Sequence, residues 1–197
     1  MPDAILIGGH AVGPGNPAFL IAEVAQSHDG SLGLAHAFVD SAAKAGADAV
    51  KFQTHIAAAE STLDEPFRTA FSTQDDTRYD YWKRMEFTAE QWAGLAAHAA
   101  HKDLVFLSSA FSIEAMEILK SLGMLAWKIG SGELASHQML TAIVQTAAAS
   151  NAPVLLSTGM TTFDDIDAAA ALVLAEGAAM GVFQCTSRYP AALEDVG

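Results

Sequence analysis

The feature that most constrains this fold is a repeated change of character. Short apolar, β-branched runs alternate with alanine-rich stretches, and each run breaks into charged, hydroxyl or small residues at its C-terminal end. The endings read "IAEVAQSH", "VKFQT", "FLSSAF", "WKIGSGE", "LSTGM" and "FQCTS". They predict strands near 19–25, 49–54, 104–109, 126–130, 153–157 and 181–186 with helices between them, the pattern of parallel βαβ units. Ser31, Thr88 with Gln91 three residues on, Ser112, and Thr161 with Asp164 three residues on predict helix starts; Gly46, Gly123 and Gly177 predict stops. Before the first of these strands, "AILIGGHAVGPGNPAFL" predicts a small hairpin.

Strands followed by helices at this spacing build either an open doubly wound sheet or a (β/α)8 barrel. No G-x-G-x-x-G follows the first strand, which weighs against a dinucleotide site. Polar residues at strand C-termini are where a barrel carries its active site. The expected fold class is therefore α/β, of the (β/α)8 TIM-barrel type. A full barrel takes eight strands and about 250 residues, so residues 1–197 are expected to form one incomplete barrel domain of about six βα units after the hairpin. One connection is unusually long. More than thirty residues separate Thr54 from Thr88, including "DDTRYDYWKRMEF". A loop of that size in a compact domain is usually functional, and its Arg78, Tyr79, Tyr81, Trp82, Lys83 and Arg84 are read as a solvated rim, an oligomer contact or a substrate-closing lid.

Charge narrows the partners. Ten Lys plus Arg against 23 Asp plus Glu give a net charge of −13, which repels nucleic-acid phosphates and anionic membranes. The longest apolar stretch, residues 168–182, is broken by Glu176 and Gly177, so no transmembrane segment is expected. The single cysteine, Cys185, cannot form an internal disulfide and is read as a buried small hydrophobe. "MPDAILIGG" lacks the features of a signal peptide, and a cytoplasmic location is expected.

Strand parity sharpens the chemistry, because successive side chains point to opposite faces. Val50 and Phe52 share one face and Lys51 and Gln53 the other; Trp127 and Ile129 oppose Lys128; Glu23 opposes Ala22 and Val24; Ser109 opposes Ser108. Lys51 and Lys128 therefore face inward. A buried ammonium is costly unless an anion pairs with it, so the two lysines imply either internal carboxylates, with Glu23 and Glu133 available, or an anionic ligand. With Ser109, Ser131 and Ser157 around them, the pattern favours a phosphate or carboxylate site. The seven histidines are scattered without an H-x-x-x-H pair, and His28 is read as standing alone at a strand end, as a hydrogen-bonded loop histidine or a site residue. Ser157 and Thr158 have no histidine at a recognisable spacing, so no nucleophilic triad is expected.

Taken in order, "IAEVAQSHDGSLGLA", "GADAVKFQT", "FLSSAF", "WKIGSGE", "LLSTGM" and "CTSRYP" resemble the successive motifs of the sialic acid (N-acetylneuraminate) synthase family, from about residue 4 to the last residue. The resemblance implies a TIM barrel followed by a small antifreeze-like domain, which this chain lacks. It also implies condensation of phosphoenolpyruvate with N-acetylmannosamine or a related amino-sugar, releasing phosphate. By the same resemblance the phosphoenolpyruvate site falls on Lys51, Ser109, Lys128, Ser131 and Ser157. Glu23 handles the attacking water or its proton, and Gln53, Glu133, Ser187 and Tyr189 approach the sugar. Ser187 stands where asparagine is frequent, and "SHDG" from Ser27 to Gly30 replaces the usual "NHNG", which bears on the sugar-side wall. A divalent metal, Mn2+ or Mg2+, is implied for the full-length enzyme, with its histidine ligands beyond Gly197, and so is a homodimer. This piece alone is accordingly expected to be inactive. Two other readings stand beside this one: a Schiff-base pyruvate aldolase using Lys128, and a non-catalytic truncated barrel serving as a binding module.

Overall fold

The six expected strands form, and within each of two sheets they run parallel. The computed structural model describes residues 4–68, 71–188 and 190–196. β1 (Ile5–Ile7) and β2 (His10–Val12) are the antiparallel hairpin, turning at Gly8 and Gly9 with φ of 57° and 88°, values open to glycine without steric cost. β3 (Ile21–Ala25), β4 (Ala49–Thr54) and β5 (Val105–Ala110) pair in that order in one sheet; β6 (Trp127–Ile129), β7 (Val154–Ser157) and β8 (Met180–Phe183) pair in that order in another. The helices are α1 (Leu32–Lys44), α2 (Ala57–Glu60), α3 (Arg78–Met85), α4 (Ala89–His101), α5 (Ile113–Ser121), α6 (His137–Ser150) and α7 (Phe163–Ala175). Among the described residues the expected six βα units are five, followed by a sixth strand.

These elements fall into two compact units. One, Phe19–Met124, holds β3–β5 with α1–α5; the other, the residues up to Ala18 and from Leu125 onward, holds the hairpin, β6–β8, α6 and α7. In the first, Phe52 is fully buried between Trp92 of α4 and Phe106 of β5, at ring distances of 5.9 and 5.8 Å, with Val39 of α1 and Leu95 of α4 also solvent-free. Burying a side chain of that size contributes roughly 2–3 kcal/mol. In the second, Trp127, Ile129 and Leu156 are buried, as are Ile143, Val144 and Ala147 of α6.

Most helix punctuation forms where expected. Ser31 and Ser112 accept the amides of Leu34 and Ala115, Thr88 with Gln91 forms a capping box, and Gly46, Gly123 and Gly177 follow their helices at φ of 71–79°. One start moves by a residue. The box at α7 is Thr162 with Asp165, not Thr161 with Asp164, because Thr161 still belongs to the loop and donates its hydroxyl to the Thr158 carbonyl.

Ion pairs link the described residues of the long connection to one another and to Asp29 in the turn after β3. Arg78 pairs with Glu65, Lys83 with Glu86 at 2.6 Å, and Arg84 with both Asp75 at 2.6 Å and Asp29. Among the described residues no helix is long and apolar enough to cross a membrane.

Candidate active-site clusters

Two clusters of polar side chains emerge at strand C-termini, one in each unit. In the β3–β5 sheet the register sets Glu23 beside Lys51 and Gln53 beside Ser109, all on the face opposite Phe52. Ser108, on the helix-facing side, is tied off by Thr54 at 2.8 Å. Lys51 is 6% exposed, and its Nζ lies 2.7 Å from Glu23 Oε2. Of the two sequence-level options for this lysine, the internal carboxylate is the one realised. The backbone helps hold that carboxylate: the β3–β4 register shifts between Glu23 and Ala25, Ala25 takes a left-handed φ of 48°, and its N–H donates to Glu23 Oε1 at 3.1 Å. Glu23 itself remains about half exposed.

In the other unit Lys128 is 9% exposed. Its Nζ donates to the Ile129 carbonyl at 3.1 Å and to the Ser157 hydroxyl on β7, and it stands 5.2 Å from the centre of the Phe183 ring on β8. Ser131 and Glu133 are half-buried in the turn after β6, where a Cβ on Gly130 would collide with the Glu133 carboxylate. A Cβ on Gly159 would likewise collide with the Ser187 hydroxyl, so the "STGM" and "CTS" loops pack closely. Tyr189 lies outside the described residues.

Cys185 departs from the buried-hydrophobe expectation. β8 ends at Phe183, so Cys185 sits half-buried in the following loop. Burial alone would raise its thiol, but the Ser157 hydroxyl, the Thr158 and Gly159 amides and the Lys128 charge together hold it below the usual thiol range.

The histidines also sort differently. His28 is fully buried against Phe87, its Nδ1 accepts the Gly30 N–H at 3.2 Å, and desolvation lowers its pKa to about 4. It is not alone at a strand end. His55, missed in the sequence because nothing periodic surrounds it, directly follows β4 and is 5% exposed. Its ring is stacked between Trp82 and Phe111 at 3.8 and 4.1 Å. Glu60 and Gln26, which neighbour it in a hydrogen-bonded chain through Gln53, were missed as well.

Among the described residues, no three His, Cys, Asp or Glu side chains gather closely enough to hold a metal ion. The donor set of the described residues does not fit a divalent cation by itself.

Comparison with known proteins places these clusters in context. A model of the NeuB family matches residues 38–197. The N,N'-diacetyllegionaminic acid synthase of Campylobacter jejuni is 31% identical over 183 residues, covering 90% of this chain and 54% of that protein. The human N-acetylneuraminate-9-phosphate synthase is 29% identical over 194 residues, covering 97% of this chain and 53% of that protein. A crystal structure of an N-acetylneuraminic acid synthetase from Leptospira borgpetersenii, in complex with citrate, superposes with a TM-score of 0.80 at 26% identity, covering 98% of this chain and 62% of that one. The chain spans about half the length of the curated relatives it matches. With parallel α/β sheets and a family match over residues 38–197, this chain belongs to the NeuB family.

Proposed function

We propose that the protein bearing this chain condenses phosphoenolpyruvate with an N-acetylated amino-sugar to give a sialic acid-like nonulosonate and inorganic phosphate. The observation that carries this reading is the pair of buried lysines on parallel strands, Lys51 beside the half-exposed Glu23 in one sheet and Lys128 beside the Ser157 hydroxyl in another. Named relatives are synthases of such acids, and one was crystallised with citrate, a polycarboxylate. The anion-binding groups are Lys51 and Ser109 in one unit and Lys128, Ser131 and Ser157 in the other. Gln53, Glu133, Ser187 and Tyr189 serve the sugar.

In this reading the Lys51 and Lys128 ammonium groups are counter-charges for anionic ligand oxygens, and the serine hydroxyls beside each donate charge-assisted hydrogen bonds to such oxygens. The methylene carbon of phosphoenolpyruvate attacks the sugar aldehyde carbon; its π electrons form the new C–C bond, the carbonyl π pair moves onto the aldehyde oxygen, which takes a proton from solvent, and cationic character is left at the carbon bearing phosphate. Water adds there and gives its proton to Glu23, whose half-exposed carboxylate is accessible to it. Breaking the bond from that carbon to the phosphate oxygen then yields the keto acid and phosphate. The proposal extends to a Mn2+ or Mg2+ requirement and a homodimer for a protein of the relatives' length. A divalent ion bound in such a protein would polarise the sugar aldehyde.

The test is phosphate release by the full-length protein with phosphoenolpyruvate, Mn2+ and a panel of amino-sugars. Release that requires both substrates supports the proposal. No release with any sugar, or a pyruvate adduct trapped on Lys128 by borohydride, overturns it; the latter would install the aldolase reading.

A further inference from the structure

Lys128 has contacts on all three strands of its sheet, and the one on β8 is an aromatic ring. The register sets Lys128 against Leu155 and Leu155 against Gly181. Side chains two residues further along a strand return to the same face. Ser157 and Phe183, themselves paired, therefore share the face of Lys128, opposite Trp127, Ile129 and Leu156. The base of the ring is fixed through its own backbone: the Phe183 carbonyl accepts the Thr158 hydroxyl at 2.8 Å and the Cys185 thiol at 3.5 Å. The Lys128 Nζ lies over the ring, 5.2 Å from its centre, while donating to the Ile129 carbonyl at 3.1 Å and to the Ser157 hydroxyl.

A lysine side chain is long and flexible, and ordering it has an entropic cost. The negative face of the Phe183 ring attracts the ammonium without cancelling its charge, whereas the contact at 2.7 Å on Lys51 is a carboxylate. Mobility is lost and charge is kept before a ligand arrives, so an anion that meets Lys128 has less left to order. We propose that Phe183 is a positioning residue whose ring fixes the Lys128 ammonium, still charged, for a phosphate or carboxylate oxygen. The identity of that anion as phosphoenolpyruvate rests on the synthase reading; the placement of the ammonium by the ring does not.

The tests use the full-length protein. The first needs no ligand: 1H–13C NMR of the Lys128 ε-methylene, assigned by its loss in Lys128→Met. The expected result is a ring-current shift that disappears in Phe183→Leu and persists in Phe183→Tyr; a resonance unmoved by Phe183→Leu overturns the proposal. The second is titration of phosphoenolpyruvate followed by 31P NMR. Phe183→Leu keeps an apolar side chain but removes the π face, and should weaken binding about three- to tenfold, the range of one cation–π contact. Phe183→Tyr should bind within about twofold of wild type. A packing defect would give the same loss in Phe183→Leu, so the deciding series places phenylalanines with one, two and three ring fluorines at position 183 alone. Fluorine withdraws charge from the ring face at nearly constant volume, and affinity should fall stepwise while the melting temperature holds. Affinity indifferent to fluorination, or a Phe183→Tyr loss equal to that of Phe183→Leu, overturns the proposal. If the wild type binds no phosphoenolpyruvate the synthase reading fails, and the methylene resonance still decides whether Phe183 places the ammonium.

Discussion

The Glu23–Lys51 pair is asymmetric, and the asymmetry gives a sharp prediction. The lysine side chain is 7% exposed while the carboxylate is 48% exposed. Glu23→Ala strands an ammonium that water hardly reaches, and breaking a buried pair from that side costs roughly 3–5 kcal/mol. Lys51→Met instead leaves a carboxylate that solvent can hydrate and that still accepts the Ala25 N–H. Its loss should resemble that of a surface pair, about 0–1 kcal/mol, with the methionine retaining the apolar packing of the lysine stem. In urea unfolding, with a slope of about 2–3 kcal/mol per M, Glu23→Ala should lower the midpoint by roughly 1–2 M and Lys51→Met by less than about 0.5 M. The double variant Glu23→Ala/Lys51→Met should regain most of the Glu23→Ala loss, because the stranded charge is gone. A Lys51→Met loss equal to or larger than that of Glu23→Ala would refute the assignment of the buried charge to the lysine.

Three further outcomes follow from the local geometry. His28 is held neutral by burial with a pKa of about 4, so the unfolded chain takes up its proton first. Stability from this group is complete above about pH 6.5 and is lost as pH falls toward 4, amounting to about 3 kcal/mol; urea midpoints for wild type and His28→Asn should converge across that window, and parallel curves would contradict it. Gly30→Ala should cost about 2–4 kcal/mol, because φ is +77° and the added methyl would run into the Arg84 backbone carbonyl, whereas Gly46→Ala, at φ +79° with nothing within 4 Å, should cost only about 1 kcal/mol; equal melting temperatures for the two would contradict the close approach. Thr162→Ala should destabilise by about 1 kcal/mol through loss of the α7 cap, and Thr161→Ala by less, as read by thermal melting.

Alternation made much of this legible before any coordinates. Val50 and Phe52 against Lys51 and Gln53, and Ser108 against Ser109, fall on the two faces expected, because successive side chains of a strand must point to opposite faces. Caps at Ser31, Thr88 and Ser112 are equally local and equally readable. What escaped depends on contacts distant in sequence. Glu60 ends a four-residue helix and His55 lies two residues before it, with no periodicity to announce either, and the His55 ring is held by Trp82 and Phe111, each more than twenty residues away. The left-handed Ala25 carries no sequence mark, since alanine is not a turn residue. Cys185 was misjudged because β8 stops two residues before it, placing it among loop amides rather than in the sheet.

The central claim is that the buried lysines bind the phosphoenolpyruvate anion. Titration of phosphoenolpyruvate into the wild-type protein, Lys51→Met and Lys128→Met, followed by 31P NMR, tests it directly. The account predicts saturable binding to wild type and at least about a tenfold weakening in each variant, the scale of one lost charge-assisted contact. Wild-type affinity retained in either variant would contradict it.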